Sequence, residues 1–397
     1  MPRPEPWITV VITIAALGAV HSSAFAQGTG RSMDFDISAR SAALGNASTA
    51  LPWGDLDHWA NPALLGYVDG IRYAHQRTQL VPGLAPDVFF TTDYMQVGGG
   101  GLGVVFSGKP LDRGGVHLDY GQSEGIDESG NPTGLFDAYE RVKAWGVGGS
   151  ALRLIDNLFA ATEHHMLRLS RYADVSAGIT SKHTDIALAG PDGPVGKADS
   201  RDWGWLARVT PYDGLESGDV PIRVDATYGR SDINYHLDHL VVFINEDRAS
   251  PVTRQHRRGV TVRASAGRLP RVWGTLLQGF TPLVSGTFTD DHVEWGVLDQ
   301  VEYETDGHGV ELTVANVFSY RRGHYQSLVE QIDGDTWGYG VALPIGKFAG
   351  AAYDDAHFPQ ANIPEIHGLH RKQFSAWIDP LAIWRATHTP PAAPGTR

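Results

Sequence analysis

The chain has 397 residues, a formal net charge of −13 and no cysteine. An acidic balance of this size argues against nucleic acid as a partner, because phosphate recognition needs clustered Lys and Arg. Gly numbers 47, and Trp, Tyr and Phe number 11, 14 and 14, a composition of strands and turns more than of exposed helices.

Taken in order, the N-terminus reads as an export signal. Arg3 precedes an uncharged apolar run from Trp7 to Val20, and Ala24-Phe25-Ala26 forms a cleavage site before Gln27. That run is shorter than the ~18 residues a spanning helix needs, and no later segment offers a comparable one. The expected divisions are a signal peptide over 1–26, a plug over 27–68, a strand-rich body over 69–384 and a disordered Pro-rich tail over 385–397. An exported chain of this length without disulfides has to be held by its own core or by a closed sheet.

Ser38 to Tyr67 is rich in small residues (Ala39, Ala42, Ala43, Gly45, Ala47, Ala50), carries acidic Asp55 and Asp57, and closes on Trp59, Ala60, Asn61, Pro62, Ala63 and Leu64. Small residues let backbones approach closely, and Pro62 pushes Asn61 out of helix into a turn. The pattern predicts a compact hatch of short helical turns. In such a hatch Asn61 can bond inward-facing strand groups while Pro62 fixes the turn. Trp59, Asn61, Pro62, Ala63 and Leu64 are therefore the candidate functional residues, either as a gate or as stabilisers of the plug.

From Ile71 onward, short segments alternate with period two between clusters of Gly, Pro, Asp and Asn. Val310, Leu312 and Val314 oppose Glu311 and Thr313. Trp337, Tyr339, Val341 and Leu343 oppose Thr336, Gly338, Gly340 and Ala342. Ile222, Val224, Ala226 and Tyr228 oppose Arg223, Asp225 and Thr227. One apolar and one polar face suits a transmembrane barrel strand and also a soluble sandwich. Aromatic residues near segment ends, a count of about fourteen or fifteen segments, and lengths near the ~9–11 residues of a tilted spanning strand favour the barrel. Ser123–Asp137, Gly190–Arg201, Leu237–Gln255 and Tyr325–Gly334 read as polar loops. Leu154 to Arg168 has helical spacing at Leu154, Ile155, Leu158 and Phe159.

Motifs with chemical meaning are weak. Gly121-Gln122-Ser123-Glu124-Gly125 fits G-x-S-x-G, but a loop follows where a nucleophile elbow needs a helix. Gly98 to Gly103 contains G-x-G-x-x-G, yet Val104-Val105-Phe106 continues as strand, so a glycine-rich turn or a strand packed against the plug is the reading. Glu163-His164-His165 and His236-Leu237-Asp238-His239 complete no metal-ligand spacing. Asp290-Asp291 and Asp354-Asp355 read as solvated turn residues. No catalytic residue, cofactor or metal is expected.

Ala43-Leu44-Gly45, Thr49-Ala50-Leu51 and the box Trp59-Ala60-Asn61-Pro62-Ala63-Leu64 resemble the N-terminal segment of FadL-like outer-membrane barrels, most closely the PorV/PorQ family. Ala60 departs from that family's box. Tyr339-Gly340-Val341, Gly350-Ala351-Ala352-Tyr353-Asp354 and His370-Arg371 before Phe374-Ser375 resemble its last three strands, with Lys372 and Gln373 inserted. The resemblance implies an all-β fold: a transmembrane antiparallel barrel of about fourteen strands with a small N-terminal helical hatch, in the outer membrane of a diderm bacterium. It also implies dealings with outer-membrane lipid and the barrel-assembly machinery, and binding or shuttling of secreted cargo proteins without covalent chemistry. Two alternatives stand beside it: a FadL-like passive channel for hydrophobic small molecules, against which the polar inward residues Arg223, Asp225, Arg263 and Glu311 count, and a secreted soluble carbohydrate binder.

Overall fold

In the computed structural model the described residues are 30–82, 85–108, 115–126, 132–160, 168–188, 195–215, 221–235, 240–243, 249–268, 279–297, 300–346, 348–360 and 368–388. The expected signal peptide over 1–26 lies outside them, as do residues 389–397 of the expected tail.

The strands are β1 (Gly70–Val81), β2 (Ala85–Gly99), β3 (Leu102–Ser107), β4 (Gly115–Ile126), β5 (Pro132–Ser150) and β6 (Ala173–Ala187). They continue through β7 (Val195–Asp213), β8 (Ile222–Ile233), β9 (Leu240–Phe243), β10 (Ala249–Pro251), β11 (Thr253–Ala266) and β12 (Val284–Val297). The last are β13 (Gln300–Val314), β14 (Phe318–Ser327), β15 (Ile332–Ile345), β16 (Ala349–Phe358) and β17 (Leu369–Ile378). All pairings are antiparallel, mostly between chain neighbours, with β8 pairing β11, and β17 returns to β1 with Ile71 opposite Ile378 and Thr78 opposite Arg371. The sheet therefore has no free edge.

β3 and β4 share one position in the wall. β2 pairs with both, Tyr94 facing Ser107 and its neighbour Asp93 facing Gly115, so the two segments follow one another along a single ladder. β9 and β10 form a short hairpin beyond the end of β8, where β9 pairs with β7. The result is a closed barrel of fourteen staves.

The alternation runs as a membrane wall requires. Val310, Leu312 and Val314 are about half exposed on the outside, while Glu311 between them is buried in the lumen. Trp337, Tyr339 and Val341 likewise face out while Thr336 faces in. A soluble sandwich would turn these apolar faces onto a second sheet; here they form the barrel's outer surface.

Several expected loops are strand. β4 and β5 occupy most of 123–137, β7 begins at Val195, β14 reaches Ser327 and β15 begins at Ile332. β5 and β7 each have 19 residues, about twice what crosses a bilayer, because the antiparallel ladder continues into long hairpins whose polar side chains need no apolar face. Helix α2 (Ala151–Ala160) matches the helical spacing seen there. A helix, α3 (Pro380–His388), runs into the first residues of the expected tail.

The plug fills the lumen. It contains a 3-10 turn at Arg31–Met33, helix α1 (Ala39–Ala43) and a 3-10 segment at Pro62–Tyr67. We call the end of the barrel holding Gly70 and Ile378 the near end, and the opposite end the far end.

Candidate functional site

The plug folds through local caps. The Ser38 hydroxyl accepts from the Ser41 backbone N–H at 3.3 Å, opening α1. Asn61 sits in extended backbone and its Oδ1 accepts from the Ala63 N–H at 3.0 Å, with Pro62 fixing the first turn behind it. Asn61 Nδ2 also donates to the Thr49 carbonyl at 2.8 Å and to the Trp205 carbonyl of β7 at 3.2 Å. One side chain thus ties two arms of the plug to the wall. Ser231 of β8 donates to the Ala60 carbonyl at 2.5 Å.

The barrel meets the plug backbone to backbone. A Cβ on Gly178 would lie 2.2 Å from the Pro62 carbonyl oxygen, and one on Gly307 would lie 1.8 Å from that of Gly45. Similar close approaches occur at Gly148, Gly229, Gly309 and Gly338. Gly98 and Gly103 meet Val68 and Leu65 in the same way, so the glycine run there is a strand hairpin packed on the plug.

The structure brings the five predicted residues together. Trp59, Asn61, Pro62, Ala63 and Leu64 are all buried at the plug's centre. Trp59 Nε1 donates to the Met33 carbonyl at 3.1 Å, and its ring lies under the Lys182 ammonium at 3.8 Å. Lys182 in turn pairs with Asp202 at 3.0 Å, both fully buried. None of the five lines the cavities described below.

Sequence reasoning missed the ionic latches. Arg40 of α1 reaches Glu311 of β13 at 2.6 and 2.8 Å; Glu311 also accepts from Arg321 at 2.6 Å, and Arg321 continues to Asp354 at 2.5 Å. Arg257 of β11 joins Asp36 at 3.1 Å. Asp291, expected as a solvated turn residue, lies buried mid-strand and accepts from the Ser48 and Thr49 N–H groups at 3.0 and 2.9 Å. Asp354 and Asp355 are likewise buried in the wall, facing Arg321 and His370. An inward carboxylate reads like a turn carboxylate until the strand's facing is known. A lone Arg40 within a small-residue stretch was the available signal.

The lumen wall is divided. On the β8–β17 side it is ionic and hydroxylated, as expected at Arg223, Asp225, Arg263 and Glu311. On the β2–β7 side it is mixed: Phe90, Val105, Val116, Leu118, Val142, Ile186 and Leu206 are buried against Met33, Trp59, Leu64 and Leu65 of the plug, among equally buried Gln96, Glu140, Asp174, Lys182 and Asp202. The expectation of a polar lumen therefore holds on the β8–β17 side, while the β2–β7 side adds an apolar cluster to its polar residues; around Leu118 and Val142 the apolar face turns inward and His117, Asp119, Arg141 and Lys143 take the opposite face.

Plug carboxylates are held away from their usual range. Burial, with the neighbouring Asp36 charge, pushes Asp57 up to about 7 against the pull of Arg257. Burial raises Asp34 to about 7, opposed by Arg31. Burial and the Lys182 charge lower the His58 imidazole to about 3.

Among the described residues, cavities adjoin the plug at both ends. At the far end, about 480 Å³ is lined by Phe35, Leu80, Trp295, Phe358 and Leu369 together with Arg31 and Asp34. At the near end lie one of about 510 Å³, beside Arg40, Trp53 and Arg263, and one of about 460 Å³, beside Tyr67, Arg208 and Arg223.

Ser123 sits within β4 opposite Phe136 of β5, in strand where a loop was expected and not at an elbow. Glu163-His164-His165 and His236–His239 lie outside the described residues. Among the described residues no three or more His, Asp and Glu side chains converge as a metal site, and no helix is long and apolar enough to cross a membrane.

No known family description and no curated protein matches the sequence. Similar solved structures include the toluene transporter TbuX of Ralstonia pickettii, at 13% identity and a TM-score of 0.41 over 85% of this chain and 97% of that one. The Pseudomonas putida toluene transporter TodX aligns at 11% identity and 0.40, covering 86% and 96%. A Pseudomonas aeruginosa FadL homologue aligns at 9% and 0.39, covering 87% and 98%.

Proposed function

We propose that this protein is a passive outer-membrane channel for small hydrophobic molecules, with residues 30–68 as its plug. One observation carries the reading. A single connected apolar cluster runs the length of the lumen, from Leu80 and Leu369 at the far end, past Phe90 and Leu118, to Val68 and Tyr67 at the near end. It begins at the far-end cavity, whose lining includes Leu80 and Leu369. A hydrophobic solute moving along it exchanges one apolar surface for another, so it meets no desolvation barrier of the kind a polar wall would impose.

The closed barrel with its exposed apolar exterior supports placement in an outer membrane, in keeping with the expected export signal. Insertion would then use the cell's barrel-assembly machinery. The cargo-shuttle role implied by the PorV/PorQ resemblance draws no comparable support from the lumen, so the small-molecule channel takes precedence. The Asn61 box serves in this reading as the plug's central anchor.

The test is uptake of radiolabelled toluene by lipopolysaccharide-coated outer-membrane vesicles with and without the barrel, because toluene crosses a bare phospholipid bilayer unaided, beside a pull-down of secreted proteins. Uptake several-fold above vesicles lacking the barrel, with no protein captured, supports the channel. Uptake no faster than in those vesicles overturns it, and specific capture of secreted proteins would restore the shuttle.

A further inference from the structure

The charge of the lumen is not evenly spread. The two near-end cavities, which share Pro52 and Tyr67 as a partition, are lined by nine arginines and four carboxylates, with no lysine. The far-end cavity has three arginines against four carboxylates. In a chain of net charge −13, the near end is a local concentration of guanidinium.

The smaller near-end cavity is the more strongly basic. Arg153 of α2, Arg168 and Arg171 of the following connection, Arg208 of β7 and Arg223 of β8 converge on it, against Asp69. Three of these have carboxylates: Arg153 holds Asp69 at 2.7 Å, Arg171 holds Asp213 at 2.7 Å, and Arg223 holds Asp225 at 2.8 Å and reaches Asp213 at 3.7 Å. Arg208 and Arg168 have no carboxylate within ion-pair distance among the described residues. Arg208 donates to the Ser170 carbonyl and stacks on Tyr67, and its Nε is buried without a hydrogen-bond partner. Arg153 also packs on the Tyr67 ring, 5.7 Å from its centre.

We propose that this cavity binds a phosphate ester. Asp69, Asp213 and Asp225 already match Arg153, Arg171 and Arg223, so the charge left for a ligand is that of Arg208 and Arg168. These two forks call for an anion with more oxygens than a carboxylate and a second charge, and arginine forks match phosphate oxygens in pairs. A volume of about 460 Å³ is far larger than a bare phosphate ion, so the group belongs to a larger molecule, which would rest on Tyr67 and Pro52. The source is either a soluble organophosphate or a lipid headgroup. The proposal stands apart from the channel reading, since it concerns the ionic mouth and not the apolar strip.

The test uses the full-length mature barrel in maltoside micelles, which carry no phosphorus. Glycerol 3-phosphate is titrated against the wild type, R208Q, R168Q and, as a control at a wall position outside this cavity, R322Q. Saturable binding weakened at least tenfold in R208Q and R168Q but unchanged in R322Q supports a soluble phosphate ester. If the free ester does not bind but phosphatidylglycerol in mixed micelles stabilises the wild type and not these two variants, the same site takes a lipid phosphate. Arg168 is exposed, so R168Q keeps its fold and its heat-shifted gel band even where R208Q does not. Equal behaviour of R168Q and wild type toward both probes, an equal loss in R322Q, or no binding of either probe by the wild type overturns the proposal.

Discussion

Arg40 of the plug grips Glu311 of the barrel with two of its nitrogens, at 2.6 and 2.8 Å, and both side chains are only 6% exposed. Arg40 also donates to the Trp53 carbonyl within the plug. A buried pair of this kind adds less than its geometry suggests while intact, but losing one partner strands a charge at a cost of about 3–5 kcal/mol. Glu311→Gln should therefore loosen the plug without opening the barrel. Limited proteolysis should cut the 30–68 segment faster in the variant, while the boiling-dependent gel shift persists. Equal cleavage rates would remove the latch role.

Gly307→Ala tests the backbone contact with Gly45. The added carbon would sit 1.8 Å from a plug carbonyl oxygen, and overpacking of this sort costs typically about 1–3 kcal/mol. The plug should shift, with a measurable rise in solute leakage through reconstituted barrels. Gly286→Ala, whose added carbon meets nothing within 4 Å, should leave leakage unchanged.

Leu118→Asn places an amide in the middle of the apolar strip. An unsatisfied amide there costs about 1–3 kcal/mol, so toluene uptake should fall by about tenfold while the gel shift is kept. Unchanged uptake would mean that solute does not travel past Leu118.

The plug should be pH-sensitive. Asp57 and Asp34 have folded values near 7, above the ordinary carboxylate value of 3.8. A raised pKa favours the folded plug when the carboxyl is protonated, fully so below about 4, and that contribution is lost as pH rises through about 7. His58, lowered to about 3, acts oppositely: its contribution is present above 6.5 and lost as pH falls toward 3. Protection of the plug from protease should therefore drop between about pH 5 and pH 8, and Asp57→Asn should flatten that drop. A wild type with equal protection at both pH values would contradict the assignment.

Leu312→Arg tests the outer wall. Leu312 is 51% exposed on the barrel exterior, two residues before the end of β13, and an arginine on the lipid face costs from about 0–1 kcal/mol near the interface up to about 2–4 kcal/mol at the midplane. Assembled, heat-shifting barrel should decrease in the membrane fraction. Unimpaired assembly would place Leu312 away from the lipid midplane.

Much of this architecture was legible beforehand. Period-two alternation marked Val310, Leu312 and Val314 as one face and Glu311 as the other, because side chains of a strand point alternately to opposite sides. The Asn61-Pro62 turn and the small-residue run fixed the character of the plug for equally local reasons. The resemblance supplied the strand number.

What the sequence could not decide was which inward residues meet. Arg40 and Glu311 are 271 positions apart, and their contact depends on the stagger of the closed sheet and the depth at which the plug is seated. The apolar cluster of the lumen was hidden for a related reason: Leu118 and Val142 alternate with His117, Asp119, Arg141 and Lys143, so period two separates the faces there but does not say which one turns inward until the barrel closes. The near-end arginines come from α2, its connection, β7 and β8, and only closure of the sheet brings their charges to one mouth.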